Sequence, residues 1–258
     1  MVHSDEALRL TRDIKGKALS SGADLVGIIS TESIDAAPRH WIGWEYQAYT
    51  RKSEDYMRDP KSVVVLGYRA WDDVHEMVIP RGDALEYPVY QRMRLYAGGV
   101  QRFIEGLGHE AMIYPELLSQ KKMAQLAGLG NFGKNSLIIN PKYGPWIRLM
   151  SILTDAELVP DEPFEEDLCG DCEACIVACP VGALTPYRVD PDKCLIGIEE
   201  ADVIRLIAGH VRYDSLRGFD DIQSIFDRHM PKLTRNGLLM CMTCQKACPY
   251  GREERGLL

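Results

Sequence analysis

The sequence predicts an α+β chain in two parts, an α/β front over residues 1–158 and a cysteine-bearing back over residues 159–258. Three observations carry this division. Helix-period and strand-like segments alternate through the front part. All eight cysteines fall between Cys169 and Cys248. Between them lies Val159-Pro160-Asp161-Glu162-Pro163, two prolines in an acidic run too poor in apolar residues to continue a sheet.

The front elements follow in order. Ser4 with Asp5 and Glu6 starts a helix, Ala7, Leu10, Ile14 and Ala18 recur at helical spacing, and Gly22 can cap the end. Asp24 to Ser30 and Ser62 to Tyr68 read as buried strands. Trp41 to Asp59 holds two tryptophans and three tyrosines; it is a lid over a pocket or, by the preferred reading, aromatic core packing. A helix is expected from Val89 to Leu107, stopped by Gly108, then a strand from Glu110 to Tyr114 and a helix from Leu117 to Ala127. Leu137 to Asn140 and Trp146 to Leu153 look like a strand pair across the turn Pro141 to Pro145, so some antiparallel pairing is expected.

Composition narrows the function. With 258 residues, 46% hydrophobic and 26% charged, disorder and low complexity are excluded. Thirty basic against thirty-eight acidic side chains give a net charge of −8, which repels a phosphate backbone, so no nucleic-acid partner is expected. The first twenty residues lack the apolar core of a signal peptide, and no stretch approaches the ~18 apolar residues of a membrane span. A cytoplasmic chain without a membrane partner is the expectation. In that reducing compartment eight cysteines point to metal ligands rather than disulfides.

Their spacing identifies the metal. Cys169, Cys172, Cys175 and Cys179 with Pro180 form a complete C-x2-C-x2-C-x3-C-P run. Cys241, Cys244 and Cys248 with Pro249 repeat it without the first cysteine, which Cys194 can supply. Two-residue gaps let one turn present three sulfurs to a cubane 4Fe-4S cluster, and the x3 gap carries the fourth sulfur to the other cluster. Cys169, Cys172, Cys175 and Cys248 then hold one cluster, and Cys179, Cys194, Cys241 and Cys244 the other. Structural zinc has no use for paired C-x3-C-P continuations. The 46 residues between Cys194 and Cys241 carry helical patterns at Ile198 to Ile207 and Ile222 to His229, a helical insertion in a ferredoxin-like module.

Gly128-Leu-Gly130-Asn-Phe-Gly133-Lys134 matches both a dinucleotide fingerprint and part of a phosphate loop. A helical pattern enters it and a strand-like one leaves, the reverse of what pyrophosphate binding needs, and Asn135 replaces the Ser or Thr that would ligate Mg²⁺. What remains is a turn permitting close backbone approach, ending in Lys134, Asn135 and Ser136. Eight basic and three acidic residues lie between Val89 and Arg148, a local surplus suited to an anionic cofactor or substrate; between Asp155 and Asp192 eleven are acidic and one basic.

The run Ala127-Gly-Leu-Gly-Asn-Phe-Gly-Lys-Asn-Ser136, then Pro141-x-Tyr-Gly-Pro145, Leu153-Thr-Asp155 and the cysteine pattern in that order resemble the corrinoid-dependent iron–sulfur reductases, which include epoxyqueuosine reductase and the reductive dehalogenases. The resemblance implies a nitroreductase-like α/β front domain, a bacterial-ferredoxin-like domain with two 4Fe-4S clusters, and cobalamin, placed here against Gly128, Gly130, Gly133, Lys134, Asn135 and Ser136. It implies a proton donor at Tyr114, where epoxyqueuosine reductase carries aspartate and reductive dehalogenases tyrosine. The Tyr-His pair of epoxyqueuosine reductase appears as Tyr90-Gln91, and the chain stops ten residues after Cys248, a short form without the helical repeats that grip transfer RNA.

The expected function is an oxidoreductase passing electrons from a donor such as a ferredoxin or flavodoxin through both clusters to cobalamin, for reduction of a small organic molecule. The alternative is a ferredoxin-like electron-transfer protein, or a reductive activator of a partner, without bound corrinoid.

Overall fold

The computed structural model describes residues 4–42, 48–70, 73–82, 84–197 and 222–256. The front begins with α1 (Asp5–Ser20), whose Ser4 hydroxyl accepts the Ala7 N–H and whose Ile14 and Ala18 are buried. Then come β1 (Leu25–Ser30), α2 (Thr31–Asp35), and the short pair β2 (Trp41–Ile42) and β3 (Ala48–Tyr49). Next are β4 (Ser62–Arg69), β5 (Met77–Arg81), β6 (Ala84–Glu86) and α3 (Pro88–Gly106). β7 (Ala111–Ile113), α4 (Gln120–Leu126), β8 (Asn131–Phe132), β9 (Ile138–Ile139) and β10 (Ile147–Thr154) complete it. The back holds α5 (Ala174–Ala178), β11 (Leu184–Thr185), β12 (Arg188–Val189), α6 (Ile222–His229), β13 (Leu238–Leu239) and α7 (Thr243–Ala247). The predicted pattern at 198–207 lies outside the described residues.

The core is a four-stranded sheet in the order β1-β4-β10-β7, and every pairing in it is antiparallel. The middle strand β4 reads SVVVLGYR and has Val63, Val64, Val65 and Leu66 fully buried, because both its faces are covered. On one face α1 and α3 bring Ile14, Ala97 and Ile104 against Ile28, Leu66 and Ile152. On the other, Ile34 of α2 and Met123 and Ala124 of α4 meet Val63, Val65 and Leu153.

Two sequence expectations are corrected here. Leu137–Asn140 and Trp146–Leu153 do not pair with each other: β9 folds back on β8, with Asn131 opposite Ile139, while β10 enters the large sheet between β4 and β7. The cause is the turn at Asn140, whose Oδ1 accepts the Lys142 and Tyr143 N–H groups at 2.9 Å and whose Nδ2 donates to Leu129 O at 2.7 Å, sending the long apolar β10 away from β9. The expected aromatic core is not made by Trp41 and Tyr49, which are 51% and 56% exposed and pack edge-on against each other at 5.2 Å. Tyr56 does pack against the core, whereas Trp44 and Tyr46 lie outside the described residues.

The acidic joint is tied down rather than free. The Asp161 carboxylate accepts the Ile28 N–H at 2.7 Å and the Lys15 ammonium at 2.5 Å, and the Asp161 N–H donates to Ile28 O, so the segment runs along the β1 edge. Front and back also share structure, because β13 pairs with β5, Leu238 opposite Val78.

Candidate iron–sulfur site

The cysteine repeat is a structural repeat. Helices α5 and α7 are five residues each, pack on one another, and end at Cys179 and Cys248, whose extended backbones precede prolines that cannot continue a helix. Each helix presents a ligand from its first turn, Cys175 or Cys244.

Cys169, Cys172, Cys175 and Cys248 line one cavity, open to solvent, together with Lys134, Asn135 and Tyr250. This is the set expected for one cluster, the distant Cys248 included. The other four thiols share a neighbourhood as well. Burial pushes the Cys244 thiol up to about 12, with repulsion from Cys241, Cys194, Cys175 and Cys179 adding to it. Burial likewise raises Cys194, which feels Cys241 and Cys179, and lifts Cys248 to about 11, which feels Cys169, Cys175 and Cys172. Such crowded thiolates are unstable alone and become stable once cations sit between them. Thiols spread around a cavity suit a cubane, in which each sulfur binds a different iron.

Backbone donors reach the sulfurs. The Lys134 N–H donates to Cys169 Sγ at 3.4 Å and the Ala183 N–H to Cys179 Sγ at 3.3 Å. The glycine loop thus abuts the first thiol group, and Lys134 and Asn135 line its cavity. Lys121 donates to Ser136 O at 2.9 Å, keeps solvent contact in a recess near Cys194 and Cys244, and has its pKa lowered by burial while those two thiols oppose the shift.

The glycines are filled by this chain. A Cβ at Gly130 (φ +150°) would stand 2.3 Å from Ile139 O, one at Gly133 2.6 Å from the Ile139 side chain, and one at Gly128 (φ +74°) 2.8 Å from Glu162 O. Their bare faces accept strand β9 and the acidic joint, so close backbone packing within this chain accounts for these glycines.

Tyr114 follows β7 and is not among the residues lining the thiol cavity. It adopts the left-handed φ of +50°, its N–H donates to Ser151 O at 2.7 Å, and the Arg94 guanidinium lies 5.6 Å from its ring centre. Non-glycine residues in that conformation are uncommon and gather at functional sites. Sequence reading missed Asp167 and Tyr187. The Tyr187 hydroxyl donates to Asp167 at 2.8 Å, Asp167 accepts the Cys169 N–H at 3.0 Å, and the Tyr187 N–H donates to Lys134 O, bracing the first cysteine. The dipeptide Pro186-Tyr187 was a turn signal, but nothing in it pointed to Cys169.

Residues 162–185 match the 4Fe-4S binding domain family. Over 95% of its length the chain is 29% identical to an epoxyqueuosine reductase of Leadbetterella byssophila, spanning 81% of that protein. The chain is similar to the epoxyqueuosine reductases along nearly its whole length. A solved epoxyqueuosine reductase bound to an epoxyqueuosine-modified tRNA stem loop superposes with a TM-score of 0.65 at 21% identity, covering 95% of this chain and 66% of that one. A reductive dehalogenase structure gives a TM-score of 0.60 at 19% identity, and this chain spans 34% of it.

These likenesses correct the expected partners. Exclusion of nucleic acid in favour of a small molecule is overturned by relatives named for epoxyqueuosine, one of them holding a tRNA stem loop. The error was to apply a net charge to the whole surface: phosphate contact depends on local charge, and residues 89–148 carry eight basic against three acidic side chains within the acidic chain. Among the described residues no helix is long and apolar enough to cross a membrane.

Proposed function

We propose that this chain is a cytoplasmic iron–sulfur reductase that carries two 4Fe-4S clusters and acts on an epoxide-bearing modified nucleoside in a tRNA stem loop. The observation that carries the proposal is the grouping of the eight cysteines, one set of four around a single cavity and the other four within mutual electrostatic reach. The similarity over 95% of the chain supplies the substrate class.

Electrons from a small donor protein enter through the clusters. A cobalamin-type cofactor, implied by the family resemblance, supplies a strong cobalt reductant when bound. The chain's own residues hold the sulfurs, supply basic side chains for phosphates and deliver a proton. Tyr114 is the proton donor in this reading. A phenol gives up its proton more readily where a cation stands by the phenolate, and the Arg94 guanidinium lies over the Tyr114 ring, 5.6 Å from its centre.

The test is anaerobic purification from cobalamin-supplied cells, metal analysis, and turnover of an epoxyqueuosine-modified stem loop with a chemical reductant. About eight iron per chain, bound cobalt and loss of the epoxide are expected. Full iron loading with no change in the stem loop would refute the substrate, and full loading with no cobalt would refute the cofactor.

A further inference from the structure

The cavity bounded by Cys169, Cys172, Cys175 and Cys248 has a lysine in its wall. Lys134 is 8% exposed, and among the described residues no carboxylate pairs with its ammonium and no acceptor takes a hydrogen bond from it. The exposed Asp167 feels it weakly, being held below the usual carboxylate range chiefly by the Cys169 N–H and the Tyr187 hydroxyl, with Lys134 a minor contributor. With most of the residue buried in this wall, its charge is screened less than in bulk water and favours an opposite charge beside it.

The compensating charge is what the cavity is built to hold. Four thiolates around a 4Fe-4S core leave a net negative group that gains a further negative charge on reduction. We infer that Lys134 is the counter-cation of this cluster and raises its reduction potential. Its contact with the site is anchored by the main chain, since the Lys134 N–H donates to Cys169 Sγ and the Lys134 carbonyl accepts the Tyr187 N–H. A side-chain substitution removes the charge and keeps those backbone bonds. Lys121 donates to Ser136 O and stands near Cys194 and Cys244, so its charge belongs to the second thiol group. Lys134 therefore acts on the first cluster selectively, as a positioning charge and not as a group that touches substrate.

The inference rests on the two-cluster reading above, and the experiment separates the two. Wild-type, Lys134→Gln and Lys134→Arg proteins are loaded anaerobically, assayed for iron and titrated against solution potential with both cluster signals followed by electron paramagnetic resonance. In Lys134→Gln one midpoint should fall and the other stay, so that at fixed potential the reduced-to-oxidised ratio of that cluster drops about tenfold, ~59 mV for one electron. Lys134→Arg should titrate like wild type. Unmoved midpoints in Lys134→Gln, equal shifts of both clusters, or an arginine variant displaced as far as the glutamine one would overturn the inference. If glutamine prevents loading of one cluster while arginine permits it, the need for a cation is supported; if neither variant loads it, charge is not the deciding property and the inference fails. Wild-type protein with about four iron and a single titrating signal would instead refute the two-cluster reading itself.

Discussion

Gly144→Ala probes how the front of the chain seats the last cysteine. Gly144 has φ +59°, and a Cβ there would stand 2.2 Å from Tyr250 O and 2.6 Å from its carbonyl carbon; Gly251 approaches Tyr143 O just as closely from the other side. The turn 140–146 and the segment after Cys248 therefore cross backbone on backbone, where neither can yield by rotating a side chain. Gly182 is a matched control, because it has the same φ of +59° and a Cβ there meets nothing within 4 Å. Both substitutions force alanine into the left-handed region, roughly 1–2 kcal/mol, partly offset by about 0.4–1 kcal/mol from a stiffer unfolded chain. Gly144→Ala adds the clash, and overpacking of this kind costs about 1–3 kcal/mol. For a chain of this size each kcal/mol corresponds to about 2–4 °C, so Gly144→Ala should melt several degrees below Gly182→Ala in anaerobic scans. Displacing Tyr250 also moves Cys248 two residues earlier, so iron should fall from about eight towards about four per chain. Equal melting temperatures and full iron in both variants would refute the close crossing.

Cys194→Ser should lose about half the iron, because Cys194 is grouped with Cys179, Cys241 and Cys244; unchanged iron would break that assignment. Tyr114→Phe deletes only the hydroxyl and should keep both clusters while stem-loop turnover falls about 10²- to 10⁴-fold, and full activity would return Tyr114 to a packing role. Asp161→Ala strips the acceptor from the Ile28 N–H and the partner from Lys15, and should cost about 1–3 kcal/mol in denaturant unfolding; an unchanged midpoint would show that the acidic joint is not anchored to β1.

Periodicity and spacing act locally, and what they encode locally was legible. The helix from Asp5 and the strand around Val63–Leu66 followed from residues adjacent in sequence, and so did the two C-x3-C-P turns. Even the crossing of Cys248 to the first cysteine group was readable, because the x3 gap fixes which way a sulfur points. Pairing of distant segments was not legible. Leu137–Asn140 and Trp146–Leu153 looked like partners since both are apolar and a turn joins them, yet the side-chain bonds of Asn140 and the open edge of β4 decided otherwise. Nor can a glycine motif show what fills it: Gly130 reads the same whether a cofactor or Ile139 O lies against it. Lys134 and Asp167 lie 33 positions apart and meet Cys169 only when the acidic joint carries the back of the chain past the glycine loop. Neighbours along the chain set the cysteine spacing and which segments are helical or extended, so both could be read locally. Tertiary structure decided which strands pair, what the glycines face and which lysine stands beside the thiols, because these depend on contacts between segments that no local pattern encodes.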